Sequence, residues 1–184
     1  ESYRHAIALD EDFAACRVQL AELLRVAGLF DDAERELEAA LVSVPTYADA
    51  ALALAALRRE TGRALETVEL LATFLESDPY HLDALASLGE SLFLAGRRDD
   101  ARFAFTRVLR FDADHVAALY FSGVLLAEAH RYDEAIAQWE RVGDLEPASP
   151  FARRARRDTR TAPGLRRIFV GRPQRADAGS PPVD

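Results

Sequence analysis

AELLRVAGLFDDAERELEAALVSVP, residues 21–45, carries the pattern that settles the fold. Its Leu24, Gly28, Ala33, Leu37, Ala40 and Pro45 return 34 residues later as Arg58, Gly62, Thr67, Leu71, Phe74 and Pro79. After another 34 residues come Leu92, Gly96, Ala101, Phe105, Val108 and Ala113. The last round reads Leu126, His130, Ala135, Trp139, Val142 and Pro147. Punctuation at a fixed period of this length signals one supersecondary unit stacked on itself. Such an array presents a surface rather than enclosing a pocket.

Placing Gly28 at position 15 of the unit gives repeats at 14–47, 48–81, 82–115 and 116–149. Position 7 then reads Leu20, Leu54, Leu88 and Ser122, and position 8 reads Ala21, Ala55, Gly89 and Gly123. Large residues at 7, 11 and 24 against small ones at 8 and 20 let two antiparallel helices approach closely. Offsets of three and four within each half are helical rather than strand-like. The pattern predicts helices at 12–27, 30–43, 47–61, 64–77, 81–95, 98–111, 115–129 and 132–145, after a half-helix at 1–9. Asp31–Asp32, Asp99–Asp100 and Asp133–Glu134 fall in first turns, where the helix dipole favours negative charge.

The units resemble the tetratricopeptide repeat (TPR) family in the order large residue, Leu-Gly or Leu-Ala, large residue, Gly, Ala, aromatic, Ala, Pro. The resemblance covers four repeats, and residues 1–13 look like the second helix of a truncated repeat before them. It implies an all-α, right-handed superhelical solenoid of antiparallel helix pairs. His130 stands where the other units have the turn glycine, and histidine is among the non-glycine residues enriched at positive φ. Ala113, Ser122, Arg58 and Thr67 are further single departures. An arginine-rich helix at 150–162 is expected to cap the array, with a basic, largely disordered tail at 163–184.

Composition narrows the function. All 23 basic residues are arginine, and lysine, asparagine and methionine are absent, which reads as GC-rich bacterial coding. With no initiator methionine and a start inside a helical pattern, the chain reads as a piece of something longer. The net charge of −8 is divided: residues 150–184 carry nine arginines against three aspartates, a net +6, leaving −14 on residues 1–149. No apolar run reaches the ~18 residues of a bilayer span, so no membrane span is expected. The cytoplasm is the expected compartment, with the periplasm left open.

A lone Cys16 excludes an internal disulfide and reads as a small core residue. His81 and His115 share the last position of their units, which points to contacts between repeats rather than to a metal. There is no phosphate-cradling glycine loop, nucleophile elbow or His-Glu-x-x-His. The chain is therefore not expected to be an enzyme, and no cofactor or metal is expected.

The resemblance also implies that first-helix positions 2, 5, 9, 12 and 13 line a concave groove. Val18, Glu22, Arg25, Leu52, Arg59, Glu90, Phe93, Tyr120 and Val124 are the candidate groove residues, with Phe93 and Tyr120 as aromatic anchors. Chaperone-binding members of the family clamp a C-terminal carboxylate with lysine and asparagine here, and this chain has neither. The groove suits an amphipathic helix or extended peptide with apolar anchors and basic flanks, or a folded protein such as a small GTPase. Nucleic acid is disfavoured, because the acidic array would repel a polyanion and no aromatics interleave the arginines. The expected function is a non-catalytic adaptor or scaffold in bacterial assembly, motility, polarity, secretion or signalling. The alternatives are the regulatory or substrate-recruiting domain of a larger enzyme, and a self-association module.

Overall fold

The computed structural model describes residues 2–169, with side chains from Phe13 to Ile168 apart from Arg167. Among the described residues there are helices and turns and no strands. The helices are α1 Ser2–Val26, α2 Phe30–Ser43, α3 Ala48–Glu60, α4 Ala64–Ser77, α5 Leu82–Leu94, α6 Arg98–Phe111, α7 Val116–Glu128, α8 Tyr132–Leu145 and α9 Pro150–Phe169. Each packs on its successor, and α1, α3, α5, α7 and α9 also pack on one another in order. No two of α2, α4, α6 and α8 bring their backbones together. The odd-numbered helices therefore form the inner layer of a curved solenoid and the even-numbered ones the outer.

One turn repeats within each pair. Gly28, Gly62 and Gly96 have φ of 78°, 80° and 80°, and His130 adopts 61° in their place. The amide after each residue bonds five residues back: Leu29 to Leu24, Arg63 to Arg58, Arg97 to Leu92 and Arg131 to Leu126. The residue itself bonds three back, as Gly28 does to Arg25 and His130 to Ala127. These are Schellman closures, which satisfy the last carbonyls of a helix and need a left-handed residue to do so.

Between pairs the turns differ. His81 and His115 are N-caps, with Nδ1 accepting from the Ala84 and Ala118 amides at 3.2 and 3.4 Å. Ala113 lacks the ring of the equivalent prolines, yet the turn persists because the Asp112 carboxylate accepts from the Asp114 amide at 3.0 Å. No turn separates residues 9 and 12, where a break was expected: α1 is continuous. There Glu11 replaces the proline and Phe13 the capping residue, so nothing stops the helix.

Small-on-large packing holds the pairs. Ala33, Thr67, Ala101 and Ala135 are fully buried, and Leu37, Leu71, Phe105 and Trp139 fill the space opposite. The largest cluster joins α5 to α9 through Leu85, Phe105, Leu119, Phe121, Trp139 and Ala155. Smaller clusters serve α1 to α4. Cys16 is exposed, contrary to the sequence expectation. Its equivalents Ala50, Ala84 and Ala118 are buried because an even-numbered helix precedes them, and none precedes α1 among the described residues. Phe13, Leu20 and Leu23 are exposed on the same helix for the same reason.

Helix α9 takes the place of another inner helix. Ser149 Oγ caps it by accepting from the Ala152 amide at 3.0 Å, and Ala152, Ala155 and Ala162 are buried against the array. It continues through Pro163 to Phe169, further than composition suggested. Arg166 pairs with Asp133 of α8 at 2.7 Å beyond that proline. The rest of the expected tail, 170–184, lies outside the described residues.

Candidate functional site

The inner helices bring part of the sequence-derived set together. A hollow of about 570 Å³ runs across α3, α5, α7 and α9, lined by Ala56, Arg59, Glu60, Glu90, Leu94, Tyr120, Phe121, Arg154 and Arg157. Three candidates, Arg59, Glu90 and Tyr120, share it. A smaller hollow of about 190 Å³ gathers Val18, Glu22 and Arg25 beside Ala53, Ala56 and Leu57. Ala56 lines both, and the smaller hollow also reaches Ala33 and Leu37 of α2.

The other candidates lie elsewhere. Leu52 packs with the Ala51, Leu71 and Phe74 cluster, and Val124 packs against the large one. Phe93 meets Phe121 between α5 and α7 with ring centroids 5.5 Å apart and planes tilted by 55°, and the Arg98 guanidinium lies 4.1 Å over its ring. Its neighbour Leu94, at position 13, reaches the hollow instead, and it is 53 % exposed. Tyr120 touches the hollow but is only 6 % exposed. Its hydroxyl donates to Asp158 Oδ2 of α9 at 2.9 Å, and its ring meets Phe151 at 5.6 Å. Burial first, and then the Asp158 bond, push the Tyr120 phenol up to about 12, against the pull of Arg154 and Arg157. The anchor role expected of Tyr120 is thus filled from within the chain by α9.

Charge in the groove is arranged as bonded pairs. Arg25 bridges Glu22 and Glu60 at 2.7 and 3.0 Å, which ties α1 to α3. Its hydrogen bonds hold the Glu22 carboxyl below the usual glutamate range. Arg59 reaches from α3 to α5, where it meets Glu90 at 3.3 Å and Ser87 Oγ at 2.6 Å. Burial pushes its guanidinium below the usual range, and Glu90 opposes that. Arg154 and Arg157 were read from sequence only as parts of a solvated cap. Their spacing of three on a helix that follows the last unit was the available signal.

On the outer side, Arg58 answers the departure from an apolar residue at position 11. It bonds Glu34 and Glu38 at 2.8 and 2.7 Å, and Arg63 joins Glu34 from the turn. A cleft of about 550 Å³ beside it is lined by Leu41, Leu70 and Phe74. Among the described residues no group of three or more His, Cys, Asp and Glu is placed to hold a metal, and no helix is long and apolar enough to cross a membrane.

Comparison with known proteins agrees with this architecture. The family model for the tetratricopeptide repeat matches residues 18–81 and 87–153. A crystal structure of MamA protein is similar at TM-score 0.63 and 23 % identity, over 86 % of this chain and 87 % of that one. TTC0263, a thermophilic TPR protein in Thermus thermophilus, gives 0.67 and 19 %, over 86 % and 84 %. YrrB, described as a TPR protein with an unusual peptide-binding site, gives 0.59 and 22 %, over 84 % and 80 %. At these identities the likeness is one of fold. No curated protein matches the chain significantly.

Proposed function

The chain belongs to the tetratricopeptide repeat family, and from that membership we propose that it is a non-catalytic adaptor or scaffold that takes a peptide segment or a folded protein into the groove of its inner helices. The observation that carries this reading is Leu94, an exposed apolar side chain on the floor of the 570 Å³ hollow, with Ala56 and Phe121 beside it. Such a floor stabilises a partner by removing apolar surface from water, while surrounding ion pairs set which partner fits. Bonded arginine–carboxylate pairs across α1, α3 and α5 hold the groove in shape before anything binds, which lowers the ordering cost of association.

Leu94→Asp tests the proposal. The side chain is half-exposed, so helicity and the thermal midpoint should stay near those of the parent. Partners captured by immobilised protein should bind the variant about tenfold or more weakly, as expected for a central interface residue worth ~1–3 kcal/mol. Equal capture by both proteins would remove the inner groove as the binding surface.

A further inference from the structure

The charge pairing in the groove is uneven along its length: toward α1 and α3 two carboxylates share one arginine, and at α9 one arginine is left without a carboxylate among the described residues. Each carboxylate lining the two hollows is already engaged: Glu22 and Glu60 with Arg25, and Glu90 with Arg59. At the opposite wall α9 contributes Arg154 and Arg157. Arg157 shares Asp158, at 3.0 Å, with the Tyr120 hydroxyl. Arg154 has no carboxylate partner among the described residues, and its guanidinium lies 5.9 Å from the centroid of the Phe151 ring. Both arginines are exposed, so their donors face the hollow's solvent. Glu128, at the groove edge on α7, is paired with Arg98 at 2.9 Å, and therefore does not neutralise them.

We infer that the groove selects a peptide segment bearing a large apolar side chain followed by carboxylates, with the apolar group on Leu94 and Ala56 and the carboxylates on Arg154 and Arg157. This rests on the groove reading above and adds a polarity to it: the acidic part of the partner lies toward α9. The planar guanidinium fork matches a carboxylate with two parallel hydrogen bonds. Toward α1 and α3, Glu22 and Glu60 both already bond Arg25. The sequence-level expectation of basic flanks differs because it counted residues on the repeats and left out α9.

The test is selection from a random twelve-residue peptide library displayed on phage, with the 184-residue chain as bait and Leu94→Asp for counter-selection. Recovered peptides should pair a large apolar residue with nearby Asp or Glu. Their affinity should fall about tenfold with Arg154→Glu, less with Arg157→Gln, and fall also as salt rises. Circular dichroism and thermal midpoints of both variants verify that the fold persists. Peptides that need Leu94 but ignore Arg154 and Arg157, or that are rich in arginine and lysine, overturn the polarity and leave the groove reading intact. Peptides indifferent to Leu94 overturn both. Arginine-dependent binding to oligouridine or phosphatidylglycerol vesicles, with no acidic bias among the peptides, would assign the arginines to a polyanion instead.

Discussion

A single hydrogen in place of a methyl sets the spacing of the last helix pairs. A Cβ on Gly123 would stand 2.4 Å from Trp139 Nε1, and one on Gly89 would stand 2.7 Å from Phe105 Cε1. The first two units have leucine opposite this position, at 37 and 71, and there the position is Ala21 or Ala55. Close approach also lets the Trp139 indole donate to the Tyr120 carbonyl at 3.1 Å. Gly123→Ala should therefore destabilise the protein by about 2 kcal/mol, read as a lower urea midpoint. Adding Trp139→Leu should recover part of that loss, since it recreates the pairing of the earlier units. A double variant no more stable than Gly123→Ala would show that the two sites are not coupled through this contact. At this scale the sequence was readable: alternation of large and small residues, and the substitution of His130 for glycine, each have one local physical cause.

At the scale of elements, long-range partners decide what a local departure means. Arg58 interrupts an apolar position, and its reason lies 24 and 20 residues upstream, in Glu34 and Glu38 of the preceding outer helix. Arg58 and Glu34 are 14 % and 15 % exposed, so neither charge is free to hydrate fully. Arg63 first, and Arg58 after it, hold the Glu34 carboxyl below the usual glutamate range. Glu34→Ala removes the carboxylate shared by Arg58 and Arg63 but leaves Arg58 with Glu38 and Arg63 with Glu66. It should therefore cost about 2 kcal/mol near neutral pH, less than a buried charge left wholly unpaired. Arg58→Leu, which restores an apolar contact and leaves Glu34 with Arg63, should change stability by less than about 1 kcal/mol. A depressed carboxyl contributes stability above the usual glutamate pKa and loses it as pH falls through its folded value. The gap between parent and Glu34→Ala should therefore close below about pH 4 in acid titrations followed by circular dichroism. A gap independent of pH would mean that Glu34 acts through packing alone. The lengths of α1 and α9 were also beyond local reading. Glu11 in place of proline lets one helix run on, and Pro163 does not stop the other.

Across the whole molecule, the core is unequally divided. One cluster runs from α5 to α9 through Leu85, Phe105, Leu119, Trp139 and Ala155, while three smaller ones hold α1 to α4, one of them reaching Ala84 of α5. Stability in stacked repeats is roughly a sum of unit and neighbour terms, so the two halves should open separately. Native-state hydrogen exchange should find the slowest amides around Phe105, Val108 and Leu119, and faster exchange in α1 and α2. Uniform protection along the chain would contradict this division. The array was legible from the 34-residue period, and the positions expected on its inner face came from the family resemblance those repeats carry. Occupancy of that face was not, since the docking of α9 is what buries Tyr120 and brings Arg154 to the hollow.

The layering has a mechanical consequence. Inner helices touch their inner neighbours, whereas no two outer helices bring their backbones together. Resistance to bending is therefore concentrated in one thin layer, as in a leaf spring clamped along a single side. Tightening the curve compresses side chains that are already close-packed, while flattening it pulls those same contacts apart. The outer helices follow either motion with little backbone resistance of their own, so the curvature of the array is governed by the residues that line its groove.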